Sequence, residues 1–250
     1  MFGIMLNPTI RLLLACAAGL LVTSAAAAQN PPAPPPWSGT LSAGMALTGG
    51  NTDTTTINLA FDVQSDKTQR NVVKAEGLNI RSSRDGEAIV DRASLSLRDE
   101  FTLNGRTYLF GQLQYLSDAF KSIDYLLSPT AGVGYKVIAT EVTTFNVDAA
   151  VGGVFEKNPG LERRSDGAFT LSQKASHKLG TAIATQSLNA LWVATDFADT
   201  LYTFQAGIAA DVWRRVQVKV DFLDTYKSRP PSPLIQSNDT ALITSVAFKF

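Results

Sequence analysis

His177 is the sole histidine of this 250-residue chain, and Ser176 precedes it in ASHKLG. A serine and a histidine within hydrogen-bond reach, oriented by an acid or amide, would make a lipid acyl hydrolase. Adjacent residues of an extended strand point to opposite faces, so these two do not form that pair, and an interfacial side chain is the plainer reading of His177. Asp53 in GGNTD and Asp85 in RDG lack the alternating acidic ligands of a calcium loop and suit turns instead. A second set of charges repeats at i, i+2: Lys74 with Glu76, Arg98 with Glu100, Lys219 with Asp221. On a strand that spacing keeps both charges on one face. Together with Asp62, Arg92, Lys136, Asp148, Lys174 and Asp211 they are candidates to line an enclosed, hydrated interior. There they would either set a weak ion selectivity or pair with one another and close the space. No catalytic residue, metal ligand or cofactor is expected.

The elements that carry these charges are strands. TTTINLAFDVQ (54–64) alternates without a fault, with Ile57, Leu59, Phe61 and Val63 on one parity and Asn58, Asp62 and Gln64 on the other. About twelve such segments run from Trp37 to Phe250, each near the roughly 9 to 11 residues that a tilted membrane strand needs. Joins after even strands are mostly short (LNGR, IATE, LG, WRR), and several after odd strands are long (FEKNPGLERRSD, SRPPSPLIQSN). That alternation is the habit of outer-membrane barrels, whose periplasmic turns are tight and external loops long. Aromatics then fall at the strand ends. Trp37, Phe101, Tyr135, Phe145, Phe248 and Phe250 mark one interface, and Tyr115, Phe155, Phe169, Trp192, Tyr202 and Tyr226 the other.

Because the opposite parity is rich in Ser, Thr, Asn, Gln, Gly and charge, the polar face turns inward and the apolar face outward. A soluble ligand-binding barrel would do the reverse. The fold expected is all-β, a transmembrane antiparallel up-and-down β-barrel of about twelve strands. Closure follows because an open edge in hydrocarbon leaves backbone groups unpaired. Ile57 and Leu59 should touch acyl chains, and an arginine should be tolerated far better at Asn58 than at Leu59. The segment VVKAEGLNIRS of strand three has no clear register. Gly132, Gly134, Gly152 and Gly207 on the inner parity favour free space, which Arg92 and Arg98 could reach across.

The ends fit the same compartment. Residues 1–28, with Arg11 before LLLACAAGLLVTSAAAA, read as a cleaved secretory signal peptide, and 29–36 (QNPPAPPP) as a stiff extended leader; 37–250 form one barrel domain. The single cysteine would leave with the signal. Lys plus Arg and Asp plus Glu number 22 each, which argues against a nucleic-acid binder driven by net charge.

The last residues, TALITSVAFKF, place Val246, Phe248 and Phe250 on one face and resemble the C-terminal signal read by the barrel-assembly machinery. LTGGNTDTTTINLAFD (47–62), YLFGQLQYLSDAFKSIDYLLSPTAGVGYKV (108–137) and YKSRPPSPLIQSNDTALITSVAFKF (226–250) resemble the YdiY-like family of salt-induced outer-membrane proteins, with Gly49 where that family usually has Ser. The resemblance implies a Gram-negative outer-membrane location and a link to salt or osmotic stress. It transfers no catalytic residue, since that family has no established activity. Two functions stand side by side: a small passive, porin-like channel for hydrophilic solutes, and a closed structural or stress-response barrel without transport. A lipid-modifying enzyme is a third reading that the position of His177 disfavours. The partners expected are outer-membrane lipids, lipopolysaccharide and the assembly machinery.

Overall fold

The computed structural model describes residues 37–48, 54–66, 70–119 and 121–250; the expected signal peptide, the leader and Asp53 lie outside them. Twelve strands follow in order: β1 (Trp37–Thr48), β2 (Thr54–Ser65), β3 (Asn71–Arg84), β4 (Glu87–Thr102), β5 (Thr107–Asp118), β6 (Ile123–Ala139), β7 (Thr143–Lys157), β8 (Arg164–Leu179), β9 (Ala182–Val193), β10 (Asp196–Trp213), β11 (Val216–Lys227) and β12 (Asn238–Lys249). Each pairs antiparallel with its neighbours in sequence, and β1 pairs with β12 to close the barrel. At the seam Leu41 faces Phe248 and Ala43 faces Val246, and Gly39 and Phe250 exchange both backbone hydrogen bonds at 3.1 Å. Closure leaves no strand edge to pair with another chain.

One end of the barrel carries Trp37, Phe250 and the tight turns such as Gly180–Thr181 and Arg214–Arg215; the other carries the long connections. They are called here the terminal end and the loop end. Where the turns are tight the backbone enters left-handed space, at Gly180 (φ 64°) and Arg214 (φ 31°), conformations that are cheapest for glycine.

The outer wall is apolar. Leu41, Met45, Val151, Leu242 and Val246 are each more than half exposed, a surface that a soluble monomer does not tolerate but a bilayer covers. Outward aromatics at the loop end form a continuous run across four strands. Phe169 meets Trp192 at 5.9 Å, Trp192 meets Tyr202 edge-on at 5.8 Å, and Tyr202 meets Tyr226 at 6.1 Å between ring centroids. Rings of this kind suit the boundary between hydrocarbon and headgroups.

β3 explains its own ambiguity. Asn58 faces Ile80 and Asp62 faces Glu76, so Lys74, Glu76, Leu78 and Ile80 point inward while Asn79 and Arg81 point out. Its inward face is apolar at the loop end because Ile80 packs on Leu223 and Ile243 across the interior. The polar-in, apolar-out rule therefore holds along part of the strand only.

Candidate functional site

The interior is built in two levels that differ in access to water. Toward the loop end, inward residues close the space. Arg92 of β4 donates to Thr225 of β11, five strands away round the wall and so nearly opposite, at 2.9 Å, and to the carboxylate of its neighbour Asp118 at 3.3 Å. Lys121, in the β5–β6 turn, crosses to the β11–β12 side, donating to the carbonyls of Ser237 (2.8 Å) and Gln236 (3.2 Å) and pairing with Asp239 at 3.1 Å. Lys227 of β11 reaches Glu156 of β7 at 2.9 Å, with Asp199 at 3.7 Å; Asp199 also accepts from Arg164 at 2.6 Å. Packed among these charges is an apolar cluster of Leu116, Ile123, Leu126, Val154, Leu191, Val193 and Leu201; Ile123 faces Asp118, Leu126 faces Glu156 and Leu201 faces Lys227 across the strand pairs. Lys121 is 0% and Thr225 1% exposed. Ions this deeply buried persist because each has both a charge partner and hydrogen bonds.

Toward the terminal end the charges are looser. Lys174 of β8 spans to Glu76 of β3, again five strands round, at 2.6 Å, yet the two side chains remain 57% and 45% exposed. Asp62 lies directly beside Glu76. Arg98 ties three walls together, bonding Glu100 (2.7 Å), Gln112 (3.1 Å) and Asp148 of β7 (2.9 Å), with its guanidinium 3.6 Å above the Phe110 ring. Lys74 meets Glu100 at 2.7 Å, and the Tyr108 hydroxyl donates to Asp148 at 2.6 Å. Lys219 and Asp221 approach to 3.7 Å, and Lys136 stands 5.9 Å from the Tyr108 ring. Side chains toward the terminal end therefore keep access to solvent, while those at the loop end are buried.

Asp62, Lys74, Glu76, Arg92, Arg98, Glu100, Lys136, Asp148, Lys174, Lys219 and Asp221 thus all lie on the inner parity of their strands, but not in one environment. Of the two arrangements open to Arg92, lining a hydrated path or pairing to close the space, the structure has the second: it is buried in the seal at 8% exposure, paired with Asp118. Asp211 sits on the terminal rim with Lys249 (2.5 Å) and Gln217 (2.9 Å). Val246, Phe248 and Phe250 are exposed on the outer wall. The sealing residues Asp118, Lys121, Glu156, Asp199 and Asp239 sit at strand ends or in turns, where alternation is hardest to read; the inner parity nevertheless continues into them. Tyr108 was missed because its apolar ring masks its inward hydroxyl. The Ser176 hydroxyl bonds Thr144 at 2.8 Å while His177 Nδ1 contacts the Thr143 hydroxyl at 2.8 Å on the other face.

None of the four inner glycines leaves free space: a Cβ at Gly132 would lie 2.1 Å from the Ala149 carbonyl oxygen and one at Gly152 2.0 Å from that of Pro129, and at the other two a side chain fills the room. A Cβ at Gly134 would lie 2.2 Å from the Tyr108 ring and 2.3 Å from Asp148 Oδ1, and one at Gly207 would lie 2.1 Å from Asp221 Oδ1. Gly134 and Gly207 thus make room for the neighbour's side chain. Gly134→Leu is therefore expected to displace Tyr108 from Asp148 and to destabilise the barrel by about 1 to 3 kcal/mol. Urea unfolding followed by gel mobility checks this, and a wild-type midpoint would show the space to be open after all.

A family model described as "Protein of unknown function, DUF481" matches residues 41–250. No curated protein matches the chain. Among solved structures, the NanC porin aligns with a TM-score of 0.51 at 8% identity, covering 85% of this chain and 100% of that one. An outer-membrane channel of the COG4313 group from Pseudomonas putida F1 gives 0.49 at 12% identity, covering 86% and 95%. The KdgM porin gives 0.46 at 9% identity, covering 85% and 99%. The likeness to the first is one of fold: a closed antiparallel barrel.

Proposed function

Since the chain belongs to the DUF481 family of proteins of unknown function, its interior has to supply the reading, and we propose that it is an outer-membrane barrel held shut, with its terminal end facing the periplasm and its sealed loop end facing outward. The observation that carries this is the set of links across the loop end, Arg92 to Thr225, Lys121 to Asp239 and Lys227 to Glu156. They tie opposite walls and leave all of those side chains but Asp239 buried. The orientation rests on short periplasmic turns and long external loops. The porin-like fold and the accessible Lys174 and Glu76 favour the second reading, a passive channel, which would require the seal to open. The link to salt or envelope stress rests on the family resemblance alone, and its test is whether protein levels rise when cells meet high salt.

Planar-bilayer recordings on refolded protein separate the two functions. The wild type is expected to give no conductance steps. Arg92→Ser combined with Lys121→Ser, which removes two of the crossing side chains, is expected to give them. Steady steps from the wild type would overturn the closed reading and leave the channel, with Arg98 and Lys174 as the charges to vary for ion selectivity.

A further inference from the structure

At the loop end Lys121, Arg164, Lys227 and Arg229 are engaged by carboxylates, while among the described residues the exposed Arg81, Arg84 and Arg163 make no ion pair. At the terminal end Lys249 pairs with Asp211, but among the described residues Arg70, Arg106, Lys178, Arg214 and Arg215 make no ion pair, although all five are exposed. Besides Asp211, the acids at that end are Asp66, Glu141 and the outward Asp99.

We propose that this rim is a collar that binds the phosphate headgroups of anionic phospholipids, phosphatidylglycerol being the simplest, in the leaflet at the terminal end. Three observations carry it. The first is position round the barrel. Arg70 stands in the β2–β3 join, Arg106 in β4–β5, Lys178 at the end of β8, and Arg214 and Arg215 in β10–β11. A single protein partner would meet one sector of that ring, whereas an annulus of lipid meets all of it. The second is depth. Trp213, 70% exposed, adjoins Arg214, and Phe101, 41% exposed, lies under Arg70. Cations beside outward aromatics stand where hydrocarbon gives way to headgroups. The third is preorganisation at Arg70. Its guanidinium lies 4.6 Å from the centre of the Phe101 ring and its Nε donates to the Thr102 carbonyl at 3.1 Å. That fixes the plane and leaves the two terminal nitrogens for a phosphate, which a guanidinium binds through paired hydrogen bonds.

The inference rests on the membrane placement proposed above but not on whether the barrel conducts. Its test uses full-length protein with Trp37→Phe and Trp192→Phe, so that Trp213 alone reports, refolded into phosphatidylcholine vesicles containing brominated phosphatidylglycerol or, in parallel, brominated phosphatidylcholine. Brominated phosphatidylglycerol is expected to quench Trp213 more strongly at equal mole fraction, with local enrichment on the order of five-fold for each cation engaged, and the excess should fall as salt screens the headgroups. Adding Arg106→Gln, Arg214→Gln and Arg215→Gln should abolish the excess while the heat-modifiable gel mobility of the folded barrel remains. Equal quenching by the two lipids, as an acidic protein partner would give, or an excess that survives the three substitutions, would overturn the proposal. Failure to insert into vesicles at all would instead refute the membrane placement.

Discussion

Lys227→Met is expected to lower the stability of the barrel by about 3 to 5 kcal/mol, the usual consequence of removing one member of a buried ion pair. The methionine keeps most of the aliphatic stem but leaves Glu156 without the ammonium that lies 2.9 Å from it, in a site where both side chains are about 95% buried. The penalty is mainly that of a stranded carboxylate. Lys227→Met with Glu156→Leu should therefore recover most of the loss, even though two interactions have been deleted, because an apolar pair of similar volume is often as stable as a buried ionic one. Unfolding by urea in lipid, read by gel mobility, measures both variants and the Glu156→Leu single. A Lys227→Met barrel within about 0.5 kcal/mol of wild type would behave as a surface substitution does, and the seal would then have to be wet.

A second large effect is expected on the opposite face. Leu59 lies midway along β2 and is 50% exposed on the outer wall. Leu59→Arg should cost about 2 to 4 kcal/mol in a bilayer, against roughly 0 to 1 for the same change at Leu179 on the terminal rim, since the penalty falls toward the interfaces. Equal costs at the two positions would mean that Leu59 does not meet hydrocarbon. Asn58 does not provide the permissive comparison that its parity suggested. It is 5% exposed, its amide donates to the Thr244 carbonyl at 3.3 Å, and a side chain on Gly44 would strike it at 2.5 Å. An arginine there would have to enter a filled space, so being inward is not the same as being in water.

The sequence by itself determined the number of strands, their approximate limits and, for most of them, which face turns outward. Those are local properties. The two-residue period of a strand writes its faces into neighbouring positions, as in 54–64, and the turn lengths mark its ends. It likewise put the eleven alternating charges on the inner face. What it could not decide is which of them meet, because that depends on barrel closure, which sets β4 opposite β11 and brings Lys121 to a carbonyl 116 positions further along the chain. Nor could it locate the seal. At that level the inner faces of the strands pack on one another, so Ile80, Leu116, Leu191, Leu201, Leu223 and Ile243 place apolar side chains on the parity that elsewhere is polar. A strand apolar on both faces loses the alternation from which its facing is read. The contents of the lumen are therefore a product of tertiary structure: the wall is encoded strand by strand, and its interior is decided by side chains that meet only when the wall has closed.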